Sequence, residues 1–362
     1  MMILNFALVS LISVSGFSPA FQPPAYGIGA ENAGGSVRAF SMGFVSAGIP
    51  DSNMVSGTNP AASGWARATG LTWGTKMMDT SDITWSGAAS FPDISVIIPL
   101  PAGLQISGLI SSRSRMNTQD TVIVSNGSGS ISWTGGSGES YAGITSRVSE
   151  ELAFSLGGKC FFGSALGEGI ASINSSGPTM PVPTEYRDDV ALLPSWGLVF
   201  GAFVNTRIVS AGFSIATDRS GDLTLNRDYI GDAIADSTAR YSVPGELTAG
   251  ISAHVHPRVL IGVDFFARKA LHLLDHTTEE GSYLASGFEV TPGLGFRVRG
   301  GFRTMDGLWR DGASTYSAGI GYNIAGGQAS VDAGISYESW GTDESETVFF
   351  ASIRASENWL GQ

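Results

Sequence analysis

Apolar and polar positions alternate along most of this chain with a period of two. In LTAGISAHV, Leu247, Ala249, Ile251, Ala253 and Val255 fall on one side, and Thr248, Gly250, Ser252 and His254 on the other. The next run repeats the pattern: Val259, Ile261, Val263, Phe265 and Ala267 against Gly262, Asp264 and Arg268. His256-Pro257 between them reads as a tight turn, where proline displaces no ladder hydrogen bond. The same alternation places Leu104, Ile106 and Ile110 on one face, and likewise Leu152, Phe154 and Leu156; Phe296, Val298 and Phe302; Tyr316, Ala318, Ile320 and Tyr322; and Val331, Ala333, Ile335 and Tyr337. Such spacing is that of β-strands with one buried face. The opposite faces carry Gly, Ser, Thr and scattered charge. They are too wet for a sandwich core and suit a water-facing lumen.

The links between the strands alternate in length. Short ones fall at 149–150, 205–206, 256–257, 291–293 and 324–327, and long or polar ones at 164–191, 218–241, 271–281, 305–314 and 339–345. Transmembrane barrels have short periplasmic turns and longer outer loops. Fitted this way, strands are predicted near 68–78, 83–98, 103–115, 139–148, 151–163, 192–204, 207–217, 242–255, 258–270, 282–290, 294–304, 315–323, 328–338 and 346–356. The fold class is therefore all-β, a transmembrane antiparallel β-barrel with an even number of strands; the count of about 14 is the one that the family resemblance given below implies. Pro92 and Pro99 interrupt the second strand, and TVIVSNGSGSISW within 116–138 reads as an outer hairpin. Tyr316 and Tyr322 share a face and lie roughly 20 Å apart along a strand, close to the height of a lipid band. Trp85, Tyr337 and Trp340 are expected at the outer girdle.

Composition agrees. Of 362 residues only 14% are charged, 43% are hydrophobic and 49 are glycine. Beyond the N-terminus there is no apolar run of the roughly 18 residues that a membrane helix needs. A net charge of −12 argues against nucleic acid as a partner. Cys160 is the only cysteine, so no intrachain disulfide forms, and it reads as a small apolar wall residue. Residues 1–20 read as a signal peptide, with an apolar stretch ending in Ser18-Pro19-Ala20. Residues 21–65 follow as an N-terminal plug segment, and 66–362 as the barrel.

Little in the chain suggests an enzyme, a metal or a cofactor. His272, Asp275 and His276 form H-x-x-D-H, but beside a strand end, where a solvated loop is the simpler reading. Asp218, Asp222, Asp228, Asp232 and Asp236 lack calcium-loop spacing. The best candidates for function are Arg297, Arg299 and Arg303 on one inward face, with Asp264 and Arg268 on another strand. The arginines present donors for a carboxylate or phosphate. Alternatively, they pair with lumen acids such as Asp264 and tie the interior together.

The stretch 37–65, VRAFSMGFVSAGIPDSNMVSGTNPAASGW, is glycine-rich and aperiodic. Its Arg38, Met42, Gly43, Asp51, Asn59, Pro60 and Ala61 resemble the plug motif at the start of FadL- and PorV-type outer-membrane barrels. Ala62-Ser63-Gly64-Trp65 then departs from the usual continuation. The resemblance implies an outer-membrane barrel of fourteen strands with this segment inside. It implies one of two jobs: a FadL-like channel for hydrophobic small molecules such as long-chain fatty acids, or a PorV-like component of type IX protein secretion that binds secreted cargo. A structural or adhesive barrel without transport, and a secreted soluble β protein, are the alternatives from other classes.

Overall fold

A strand whose outer face is apolar and whose inner face is wet can leave no edge unpaired in lipid, so the sheet must close. The computed structural model describes residues 30–31, 36–51, 54–80, 93–124, 127–173, 182–229, 232–269, 272–273, 276–277, 280–306, 312–324, 327–340 and 344–357. Fourteen antiparallel strands make the wall. They are β1 (Gly70–Thr80), β2 (Asp93–Pro99), β3 (Leu104–Val124), β4 (Gly127–Arg147), β5 (Leu152–Ile173) and β6 (Val182–Asn205). Then come β7 (Val209–Ala216 continued by Arg219–Tyr229), β8 (Asp232–Val243 continued by Glu246–His256), β9 (Val259–Arg268) and β10 (Gly281–Gly293). The last four are β11 (Phe296–Asp306), β12 (Ser314–Ile324), β13 (Ala329–Trp340) and β14 (Glu344–Ser356). Each pairs with its neighbours in sequence, and β14 pairs back onto β1 from Glu346↔Thr80 to Ser356↔Gly70.

The outward face is the apolar one. Ile106, Leu156, Ile251, Ile320 and Ile353, from five strands, are 44–61% exposed. An apolar belt running round a whole barrel far exceeds the few hundred Å2 that a soluble surface tolerates. Tyr316 and Tyr322 lie on this belt, against Phe302 and Phe296 at 5.1 and 4.7 Å. Tyr337 also faces out, but Trp340 does not. Three positions further on, the period of two turns it inward, where it packs on a lumen cluster around Met42 and Tyr283. Trp85 lies outside the described residues. Cys160 is a buried free thiol on β5.

The strand register matches the sequence expectation closely over the lipid-height part, as in β12 and β14. It differs at the long-hairpin end. Strands β3, β4, β5 and β6 run for 21, 21, 22 and 24 residues, so the segments read as links at 164–191 and 218–241 are mostly ladder. The hairpin expected in 116–138 is the paired tip of β3 and β4, closing at Val124↔Gly127. Beyond the lipid the outer face no longer needs to be apolar, so the apolar alternation fades while the backbone pairing continues. The second strand is described only from Asp93; 81–92 are outside the described residues.

Candidate functional site

The N-terminal segment sits inside the barrel. Helix α1 (Val37–Ser41) starts at Ser36, whose side chain accepts from the Ala39 N–H at 3.0 Å. It ends where Gly43 and Phe44 both take positive φ, +71° and +75°. The left-handed region costs a non-glycine residue roughly 1–2 kcal/mol. Packing holds Phe44 there: its ring lies 3.7 Å from the Arg303 guanidinium and 4.6 Å from Phe40. Further along, Asn59 caps the short 3-10 turn Pro60–Ser63, accepting from the Ala61 N–H at 3.2 Å. Proline suits the first turn of such a helix because its missing N–H would have no partner there.

Two carboxylates of the wall hold the first half of the plug. Glu289 on β10 accepts a two-pronged contact from Arg38, at 3.0 and 2.8 Å. Arg38 also donates to the Pro50 carbonyl at 3.1 Å and lies 3.9 Å from Asp51. Burial opposes the Arg38 charge, but Glu289 and then Asp51 more than offset it and raise its pKa above the usual range. Asp264 on β9 accepts three successive plug N–H groups, Ser46 and Ala47 at 2.5 Å and Gly48 at 3.2 Å. Gly43 N–H donates to Ser317 Oγ at 2.8 Å. The second half is held by neutral groups: Asn59 Nδ2 donates to Ala202 O at 3.1 Å, Gln105 to Ser63 Oγ at 2.7 Å, and Trp65 Nε1 to Glu150 O at 3.0 Å.

This close docking needs bare backbone on the wall. A Cβ on Gly287 or Gly301 would overlap Met42, and one on Gly250 would overlap Asp264 and Gly48. Met42 itself is fully buried among Val45, Ile49, Leu260, Tyr283, Ala285 and Met305.

Above the plug, toward the long hairpins, lies a chamber of about 40 Å3 with charged side chains on one side and Phe44, Phe266 and Tyr283 on the other. At about 10–15 Å3 for each water, it has room for roughly three waters and none for a hydrocarbon. Its wall contains Ser111, Arg113, Glu139, Lys159, Glu246 and Arg303, and its floor Phe44, Ser46 and Thr58 of the plug. The charges form one network. Lys159 lies 3.2 Å from both Glu139 and Glu246, Arg219 lies 2.8 Å from Glu139, and Arg113 pairs with Glu246. All five are buried or nearly so, which is stable only because each charge faces opposite charge.

All seven residues of the sequence motif are brought together in the plug, and the five lumen candidates face inward or line it. Arg299 is held by Glu289 at 2.7 Å and Asp332 at 2.5 Å, which makes it a brace for the plug latch. Arg303 is bonded to Glu338 at 2.6 Å and to Thr315, and reaches the chamber. Arg297 is half-buried on the same face. Arg268 is buried opposite Glu246 on β8. Asp264 binds the plug backbone, where the sequence suggested a partner for the arginines. Glu289, Arg113, Glu139, Lys159, Arg219 and Glu246 were missed. For five of them the signal was available, as charged residues at an inward parity of an alternating strand; Arg219 lies past a break at 217–218 that reverses the parity set by Phe213 and Ile215, so the alternation alone places it outward.

The site is thus a lumen stoppered by the chain's own N-terminal segment, in a closed barrel of fourteen strands. No protein-family model matches the chain, and no curated protein matches it in sequence. Solved structures do match in fold. A FadL homologue of Pseudomonas aeruginosa superposes with a TM-score of 0.67 at 12% identity, covering 91% of this chain and 99% of that one. The toluene transporter TbuX of Ralstonia pickettii gives 0.62 at 14% identity, over 89% and 97%. The toluene transporter TodX of Pseudomonas putida gives 0.59 at 14% identity, over 91% and 99%. The chain has the fold of these proteins, two of which are named as toluene transporters.

Proposed function

We propose that this protein is an outer-membrane channel for hydrophobic small molecules, with outer-membrane lipid around the belt and the plug gating the lumen. The observation that carries it is the plugged lumen: the chain's own segment closes a fourteen-stranded barrel through separable polar latches, leaving a chamber of about 40 Å3. A stopper held by Arg38–Glu289 and by Asp264 can be released without unfolding the wall. The structural neighbours named for toluene transport and the FadL homologue support the hydrophobic class. A ligand with a carboxylate head, as in a long-chain fatty acid, would have to compete with Glu246, Glu139 and Glu338 for Arg113, Lys159 and Arg303.

Lipid extraction and mass spectrometry on barrel purified from its native membrane in mild detergent test this. A stoichiometric fatty acid or hydrocarbon is expected. Barrel free of such ligand but carrying secreted proteins would instead support the PorV-like export role. Barrel with neither would support a structural role, and protein that never enters the membrane fraction would overturn all three.

A further inference from the structure

Below the Arg38–Glu289 latch, toward the short turns, the inner wall from β11 to β14 carries an excess of positive charge. Arg297 on β11, Gly321 on β12, Asp332 on β13 and Ser352 on β14 form one cross-strand row. Arg354, the next inward residue of β14, lies one step nearer the short-turn end, opposite Ser330. Both arginines keep the inward parity of their strands. On β11 Phe296 and Val298 face lipid while Arg299 and Arg303 are buried; on β14 Ile353 faces lipid while Ser352 and Ser356 are buried. Arg297 and Arg354 themselves are partly exposed.

The charged groups acting most strongly on Arg297 are Glu289, Arg38, Arg299 and Asp332, and those acting on Arg354 are Asp51, Arg297 and Asp332. Four guanidinium groups thus face three carboxylates. The carboxylates are engaged elsewhere: Glu289 holds Arg38 and Arg299, Asp332 holds Arg299, and Asp51 lies 3.9 Å from Arg38. Arg297 and Arg354 make no hydrogen bond or ion pair among the described residues. Arg354 Nε is buried, also without a partner among them. A third donor points the same way. Arg299 is 2% exposed, and its head lies over Gly321, where a Cβ would sit 3.1 Å from both Nη atoms. Gly321 is the cross-strand partner of Arg297, so the Arg299 head reaches the Arg297 row. Its Nη1 bonds Asp332, whereas Nη2 has no partner among the described residues. Buried donors are nearly always met by protein, water or an ion.

We propose that Arg297, Arg354 and the Arg299 Nη2 donor form an anion site at the short-turn mouth, which takes the carboxylate head of an amphiphilic ligand once it has passed the plug. Planar guanidinium groups match the two oxygens of a carboxylate and make charge-assisted hydrogen bonds to it. The one unmatched positive charge suits a monoanion. The chamber above the plug differs, because its Arg113, Lys159 and Arg303 already hold wall glutamates. The mouth site belongs to the wall. Undocking the plug removes Arg38 and Asp51 together, one charge of each sign, and leaves the excess in place. The inference rests on the reading that the barrel conducts hydrophobic molecules, and it adds a preference for those with an acidic head.

Calorimetric titration of octanoate into the full chain in non-ionic detergent, with octanol as the uncharged control, tests the site without transport. The double variant Arg297→Gln, Arg354→Gln removes both free charges and keeps the side chains polar. Arg258→Gln removes one charge from the exposed rim at the same end. Heat-modifiable migration on gels confirms that each is folded. Octanoate is expected to bind the double variant roughly tenfold more weakly, the effect of one charge-assisted hydrogen bond at partly exposed side chains. Octanol binding should not differ between the two, and Arg258→Gln should bind octanoate like wild type. Equal octanoate binding by wild type and the double variant overturns the site. So does an equal loss in Arg258→Gln, which would show bulk electrostatics alone. Inorganic phosphate that displaces octanoate at equal concentration overturns the amphiphile as the occupant. In vesicle uptake, the ratio of long-chain fatty acid to toluene should fall in the double variant, and an unchanged ratio overturns the site's place on the route. Wild-type barrel that takes up neither compound overturns the channel reading, while the titration still decides the site.

Discussion

Removing the Asp264 carboxylate should release the first half of the plug. Asp264 accepts the Ser46, Ala47 and Gly48 N–H groups at 2.5, 2.5 and 3.2 Å, so Asp264→Ala leaves three buried donors facing an apolar methyl. A hydrogen bond to a charged group contributes about 1.5–3 kcal/mol, but three that share one carboxylate do not add fully. Water also enters the space left behind. A net loss of about 3 kcal/mol is a reasonable figure, which raises the population of the undocked segment about a hundredfold. Asp264→Asn keeps one acceptor oxygen and should fall between the two. Hydrogen exchange followed by mass spectrometry on the folded barrel in detergent reads this directly at the amides of Ser46, Ala47 and Gly48. Barrel-wall amides, such as those of β12 and β13, serve as the internal reference. Exchange that is as slow in Asp264→Ala as in wild type would refute the reasoning. So would equal acceleration of the reference strands, which would mean that the whole barrel had loosened.

Other perturbations separate the remaining contacts. Arg38→Ala removes the two-pronged contact to Glu289, which keeps Arg299 as its partner, and should cost about 1.5–3 kcal/mol of plug docking, seen as faster protease cleavage between α1 and Asn59. Arg38→Lys, which cannot fork across a carboxylate, should recover only part of this. Gly301→Ala places a Cβ on the Met42 backbone and should displace the plug, whereas Gly300→Ala, on the outward face against the Phe288 ring, should leave its protease sensitivity unchanged. Glu246→Gln strips one carboxylate from Lys159 and Arg113, which keep Glu139, and should lower the unfolding temperature of the barrel on heat-modifiability gels, by the equivalent of about 1.5–3 kcal/mol.

The wall was legible because its cause is local. Ile251, Ala253 and Val255 face lipid, and their neighbours Ser252 and Gly250 face the lumen, for the same reason that a pleated chain alternates. The legibility stopped where that cause stopped. The upper parts of β5 to β8 read as links because Gly, Ser, Thr and Asp break the period-of-two apolar pattern there, although Ala165, Leu223 and Tyr241 within them are buried. Trp340 was assigned by its place near a strand end and not by its parity, which is odd with respect to Tyr337. The plug was recognisable as a motif, but its function as a stopper depends on partners far away in sequence. Arg38 and Glu289 are 251 positions apart, and Asp264 is more than 200 from the N–H groups it binds. Only the closed ring brings them together, and no periodicity announces it. Arg299 shows the same limit: its strand and face were evident, while its use as a brace for Glu289 was not.

The most direct measurement is uptake of a radiolabelled long-chain fatty acid, and separately of toluene, by outer-membrane vesicles with and without the protein. A strain lacking its own hydrophobic channel would supply the vesicles. Saturable uptake of at least one of the two, above the background of vesicles without the protein and altered by Asp264→Ala or Arg38→Ala, is expected. Uptake that is the same with and without a fully folded barrel would contradict the assignment as a channel for hydrophobic molecules.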